Sequence, residues 1–175
     1  MTYPVFTNGT VLPASDLNAI GLWLVKSQTI GSGVGSVAIT NCFNSDFRNY
    51  RVTFEGGSQS GNNLAIQLQF ANTTGHYATM RYEPWAGTAG SLPSSNLNFA
   101  YFGLSGTANQ ATMSFDVFAP NLPQVTKFSG MFTADSYYGT GGGVYFQTTQ
   151  LTGFTMIFPS FTNTGGVVKV YGYRD

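Results

Sequence analysis

Charge is the scarcest property of this chain. Its 175 residues include 7 Lys plus Arg and 7 Asp plus Glu, so the formal net charge is +0 and only 8% of positions are charged, where an average soluble protein has about 25%. Nucleic-acid binding runs on cations that neutralise phosphates, and so few cations, each offset by an acid, exclude it. The one cysteine, Cys42, can close no internal disulfide and is expected as a small buried apolar group. One histidine, His76, and one cysteine cannot build a zinc site, and no Asp-rich loop has calcium spacing. The longest apolar stretch, Ala19–Val25, is interrupted by Gly21 and falls far short of a membrane span, so no membrane insertion is expected. Met1–Thr10 carries neither a basic stretch nor an apolar run, so no signal peptide is expected. Scarce Ala, Glu, Lys, Leu and Arg argue against a coiled coil or helical bundle.

What the chain does have is 22 Gly, 21 Thr, 15 Ser and 13 Asn, with 42% hydrophobic and 15% aromatic residues. That apolar content drives collapse rather than disorder, and a single domain of this length needs no disulfide to stand alone. From Leu22 onward, runs of Val, Ile, Thr, Phe and Tyr alternate with Gly, Ser, Asn and Pro, which is strand-and-turn punctuation. Strands are expected at Leu22–Thr29, Ser36–Thr40, Tyr50–Glu55, Leu64–Ala71, Tyr77–Tyr82, Leu97–Gly103, Ala111–Phe118, Gln124–Phe132, Val144–Thr148, Phe154–Phe158 and Val167–Tyr173. In Leu64–Phe70, the residues Leu64, Ile66, Leu68 and Phe70 share one face. About ten short strands at this spacing predict an all-β fold, a two-sheet antiparallel β-sandwich of jelly-roll type over residues 22–175. Pro120 and Pro123 mark a crossing between strands. Two Gly/Ser-rich segments, Pro84–Asn96 and Asp135–Gly143, read as long loops.

Catalysis needs a titratable group with a partner, and the inventory is thin. His76 lies beside Gly75 in a turn with no nucleophile elbow nearby, so it reads as a surface or loop-supporting side chain. The carboxylates Asp16, Asp46, Glu55, Glu83, Asp116, Asp135 and Asp175 are scattered, and a glycosidase-type pair would have to assemble by folding alone. Most are expected to pair with Arg48, Arg51, Arg81, Lys127 or Lys169 or to cap loops. Gly31–Gly35 and Gly139–Gly143 look like phosphate loops but open no helix, so they read as flexible turns. No catalytic residue, cofactor or metal site is expected. Phe54, Phe70, Phe115, Phe118, Phe128, Phe132, Phe154 and Phe158 fall in strand runs and are expected in the core. Tyr82, Trp85, Tyr137 and Tyr138 fall in loops; flat rings beside hydroxyls and amides suit either subunit interfaces or stacking on sugar rings, and these four are the candidate glycan contacts.

Residues 1–21 differ from the rest. Tyr3-Pro4-Val5-Phe6 is an apolar clip before the turn signal Asn8-Gly9, and a brief helix fits between an N-cap at Ser15 and a stop at Gly21, with Leu17 and Ile20 on one face. So short a helix must dock on something. The phrase Val5-Phe6-x-Asn8-Gly9-x-Val11-Leu12-Pro13-Ala14-Ser15-Asp16-Leu17-Asn18 resembles the opening of many bacteriophage tail-fibre and related virion proteins. Gly21–Lys26 and the ending Gly165–Arg174 look like short phage structural proteins. The resemblance implies a virion component, a homotrimer, made in the host cytoplasm. Its N-terminal arm would dock on other virion proteins through Tyr3, Val5, Phe6, Leu12, Leu17 and Ile20, and its sandwich would face outward. The favoured expectation is a tail fibre or receptor-binding appendage that touches host-surface glycan. A capsid decoration or head-fibre protein is the alternative, and a small glycan-active depolymerase the second.

Overall fold

The computed structural model describes residues 21–107 and 111–173. The expected N-terminal arm and its helix, with Tyr3, Val5, Phe6, Leu12, Leu17 and Ile20, lie outside the described residues. Fourteen strands make up the ordered elements, and no helix occurs among the described residues. They are β1 (Leu22–Thr29), β2 (Ser36–Ile39), β3 (Asn49–Glu55), β4 (Ser58–Gln59), β5 (Ala65–Gln69), β6 (His76–Pro84) and β7 (Gly90–Leu97), then β8 (Ala100–Leu104), β9 (Thr112–Phe118), β10 (Thr126–Thr133), β11 (Tyr137–Tyr145), β12 (Phe154–Ile157), β13 (Asn163–Thr164) and β14 (Val167–Tyr173). The fold is all-β with antiparallel sheets. An eight-stranded sheet runs β1-β14-β3-β9-β10-β11-β6-β7, a four-stranded sheet runs β2-β12-β5-β8, and β13 pairs with β4.

Period-2 alternation decides what each strand buries. β3 buries Tyr50, Val52 and Phe54, β9 buries Met113, Phe115 and Val117, and β14 buries Val168 and Val170. The small sheet answers with Ile39, Ile66, Leu68, Phe102, Phe154 and Met156. Rings from the two sheets meet directly: Phe102 lies 4.7 Å from Phe115 and 6.1 Å from Phe128, centroid to centroid, and Phe115 meets Phe154 edge-on at 6.0 Å. One apolar core therefore joins both sheets. Cys42 is buried in it, and burial pushes its thiol up to about 12, so it stays protonated.

The segments 84–96 and 135–143 are loops only in part, contrary to their composition. β7 takes the first from Gly90 onward and leaves 85–89 as the connection, and β11 takes the second from Tyr137 onward and leaves 135–136 in the turn. β11 alternates as Tyr137, Gly139, Gly141, Gly143, Tyr145 on its inner face. A Cβ at Gly141 would stand 2.8 Å from the Phe102 ring, and one at Gly139 would stand 2.7 Å from the Phe132 ring. These glycines are a floor that lets bulky aromatics and the small sheet's β8 close on β11. The run Gly139–Gly143 is therefore the middle of a paired strand and not a flexible turn. Gly31–Gly35 does remain a turn, holding one bridge from Val34 to Asn163.

Phe118 is also corrected. It closes β9 on the outward side, in parity with Thr112, Ser114 and Asp116, and is 40% exposed. The other seven predicted core phenylalanines are buried. His76 is fully buried, which rules out the surface placement of the two expected, surface or loop-supporting. Its Nε2 accepts the Phe70 N–H at 3.1 Å, which leaves Nδ1–H to donate to the Leu97 carbonyl at 3.1 Å. Burial holds its pKa below the ordinary value, outweighing the backbone bonds to Leu97 and Thr73 that favour the charged ring.

Candidate functional site at the paired hairpin tips

Two hairpins extend the large sheet. β6 and β7 are joined by residues 85–89, and β10 and β11 by residues 134–136. β11 pairs with β6 over nine residues, from Tyr137 opposite Pro84 to Tyr145 opposite His76, which brings the two tips together. The Trp85 N–H donates to the Ser136 carbonyl at 3.0 Å and closes the junction. Asp135 is buried at the tip, where its Oδ2 accepts the Thr107 N–H at 2.6 Å.

The four candidate aromatics divide by strand parity. Adjacent residues of a strand must face opposite sides, so Tyr137 and Tyr138 cannot serve the same surface. Tyr82 and Tyr137 are half-buried, edge-on to each other at 5.5 Å and packed against the core. Gly90 leaves room for the Tyr82 ring, since a Cβ there would stand 2.5 Å from it. Tyr138 and Trp85 are exposed, Trp85 at 76%. Tyr138 donates its hydroxyl proton to Glu83 Oε2 at 2.7 Å, and that bond, with the carboxylate's charge, raises the phenol's pKa.

Beside Tyr138 lies a groove of about 640 Å³ on the outer face of the sheet, within the range of small-molecule sites. Register explains its make-up. One row across the strands reads Met131, Thr140, Arg81, Ser91, and the next reads Thr133, Tyr138, Glu83. Met131 is 62% exposed and forms an apolar wall. Arg81 is exposed, lines the groove and has no ion pair among the described residues. The sequence names Glu83 and Arg81 only as possible ion-pair members and does not single out Met131 or Thr140. The available signal was parity with Tyr82 along β6, which puts Arg81 and Glu83 on the face opposite its ring.

The groove can offer an aromatic face, a thioether wall, hydroxyls, one cation and one hydrogen-bonded carboxylate. Among the described residues, no group of three His, Cys, Asp or Glu could hold a metal ion. Neither a family model, nor a curated protein, nor a solved structure matches the chain.

Proposed function

We propose that the chain is a bacteriophage virion appendage, a tail fibre or receptor-binding protein, that contacts host-surface glycan through the paired hairpin tips. The observation that carries this reading is the polarity of the large sheet. Leu22 pairs with Tyr173, so the described chain begins and ends at one corner. Trp85 and Tyr138 lie at the other end of the strands, in or beyond the row that contains Glu55, Thr112 and Thr133. An arm at residues 1–21 would thus hold the particle from the end opposite the exposed aromatics, and the protein would act as a homotrimer.

The topology supports the same reading. We take β1, β2, β3, β5, β8, β9, β12 and β14 as the eight strands of a jelly-roll sandwich, with orders β1-β14-β3-β9 and β2-β12-β5-β8, and β6–β7 and β10–β11 as hairpins inserted into it. Jelly rolls recur in capsid and lectin domains. That is analogy of fold, and function is argued from the site.

Binding of the full chain to host cells tests the tip. Trp85→Ala with Tyr138→Ala should reduce binding at least tenfold while the Tm stays within about 2 °C, because both side chains are exposed. Tyr137→Ala should instead lower the Tm, since that ring packs on Tyr82. Unchanged binding in the double variant would remove the site from the proposal. Gold labelling of intact particles separates the locations: label at the tail supports an adsorption role, and label spread over the head supports the decoration reading.

A further inference from the structure

Phe118 opens onto a second groove, of about 610 Å³, lined by Arg48, Asn49, Phe118, Ala119, Gln124, Val125 and Lys127. Register builds it: Phe118 stands opposite Asn49 on β3 and opposite Lys127 on β10. Two of the chain's 7 cations meet here. Among the described residues, neither has an ion pair and no carboxylate lines the groove. Asp116, two residues back on β9, does not neutralise them, because it is bound by Arg51 at 2.9 Å and by the Tyr173 hydroxyl at 2.6 Å.

The remaining lining is suited to hydroxyls. Asn49 Oδ1 accepts the Ala119 N–H at 3.2 Å, so its amide NH₂ is left as a donor. The Gln124 side-chain amide has no partner among the described residues. Ala119 itself holds φ at 55°, a left-handed backbone that costs a non-glycine residue energy and persists only where its surroundings enforce it. Here the enforcing bonds come from the groove: the Ala119 N–H also donates to the Arg48 carbonyl at 3.0 Å.

We propose that this groove binds an anionic saccharide unit, with the sugar ring against Phe118, the acid group between Arg48 and Lys127, and ring hydroxyls on the Asn49 and Gln124 amides. A neutral apolar ligand would leave two cations desolvated without a partner. A bare anion would make no use of the aromatic face or the amides. The site shares no residue with the groove at the hairpin tips and does not depend on the reading of that tip.

The test is calorimetric titration of the full chain with defined probes. They are a hyaluronan tetrasaccharide for carboxylate, a heparin-derived tetrasaccharide for sulfate, maltotetraose as the neutral sugar and tri-glutamate as an anion without a sugar ring. At least one acidic tetrasaccharide should bind roughly tenfold more tightly than maltotetraose and tri-glutamate, with affinity falling as salt rises. The carboxylate and sulfate arms show which acid is preferred. Lys127→Gln and Arg48→Gln should each weaken that binding by roughly tenfold, the size expected for one charge-assisted hydrogen bond. Phe118→Ala should do likewise, and Trp85→Ala should leave it unchanged. Equal binding of maltotetraose, equal binding of tri-glutamate, no binding of either acidic sugar at millimolar concentration, or full affinity in both glutamine variants would each overturn the proposal. Lys127 is exposed, so its variant keeps the test valid even if Arg48→Gln perturbs folding.

Discussion

The two halves of the eight-stranded sheet use their outer faces differently. On β1-β14-β3-β9, several outward side chains bind one another across strands, and Asn49 and Phe118 at one end open onto the second groove. Arg51 grips Asp116 with two hydrogen bonds, Tyr173 donates to the same carboxylate, and Lys169 stands 3.6 Å from Glu55. Burial would raise the Asp116 pKa, but the bonds from Arg51 and Tyr173 outweigh it and hold the carboxyl below its ordinary value. Burial and that same bond push the Tyr173 phenol up to about 12. On β10-β11-β6-β7, the outward face carries Ser129, Met131, Thr140, Gly142, Thr79 and Arg81 with no ion pair among the described residues, and its side-chain bond across strands joins Tyr138 to Glu83 at the tip. That half is secured from underneath, by its glycine floor, by the core rings seated on it and by His76. The lesson is that a sheet can leave groups available on one surface where the opposite surface carries its stability.

The strongest way to break the comparison is at the floor. Gly141→Val should cost about 3 kcal/mol by driving a side chain into the Phe102 ring. A denaturant melt that shows no loss would mean that the inner face does not secure this half. Next comes pH. The His76 pKa is lowered in the folded state, so below about 6.5 the unfolded chain binds a proton that the native site refuses. Stability should be level above that pH and fall below it, by up to about 1.4 kcal/mol per pH unit from this group. A protonated ring would turn an N–H against the Phe70 N–H. His76→Asn should flatten that segment of the stability–pH curve, and an unchanged slope would assign the acid sensitivity elsewhere. The smallest effect is expected on the other half. Arg51→Ala should cost at most about 1 kcal/mol, because the Arg51 side chain is 41% exposed. That loss should shrink in high salt, whereas the loss from Gly141→Val should not.

Legibility in the sequence followed the same division. β1 and β14 lie where branched and aromatic residues predict them, at Leu22–Thr29 and Val167–Tyr173. β7 and β11 did not declare themselves, because Gly and Ser are loop signals until a neighbouring ring needs the space they leave. The two-residue strands β4 and β13 carry no periodicity at all. Their link is tertiary: Gln59 Nε2 donates to Asn163 Oδ1 at 2.5 Å, across 104 residues of chain. At the site, hydrophobicity alone placed Phe118 in the core, although Phe115 and Val117 inward already imply Phe118 outward. The aromatic excess pointed to Tyr138 and Trp85 but could not separate them from Tyr82 and Tyr137. Met131, Thr140 and Arg81 become neighbours only through pairing of β10, β11 and β6, which no local pattern encodes.

The pairing of β1 with β14 has a kinetic consequence. Leu22 bonds opposite Tyr173, so this edge of the sheet closes only after nearly the whole described chain has been brought round. The β6–β7 and β10–β11 hairpins close over much shorter spans. Loop closure grows costlier with span, and non-local pairing slows folding. The surface that offers its groups outward can thus organise early, and the self-bound half completes the fold late. During synthesis the hairpins leave the ribosome before β14 exists, so β1 must wait with an unpaired edge until the last strand arrives.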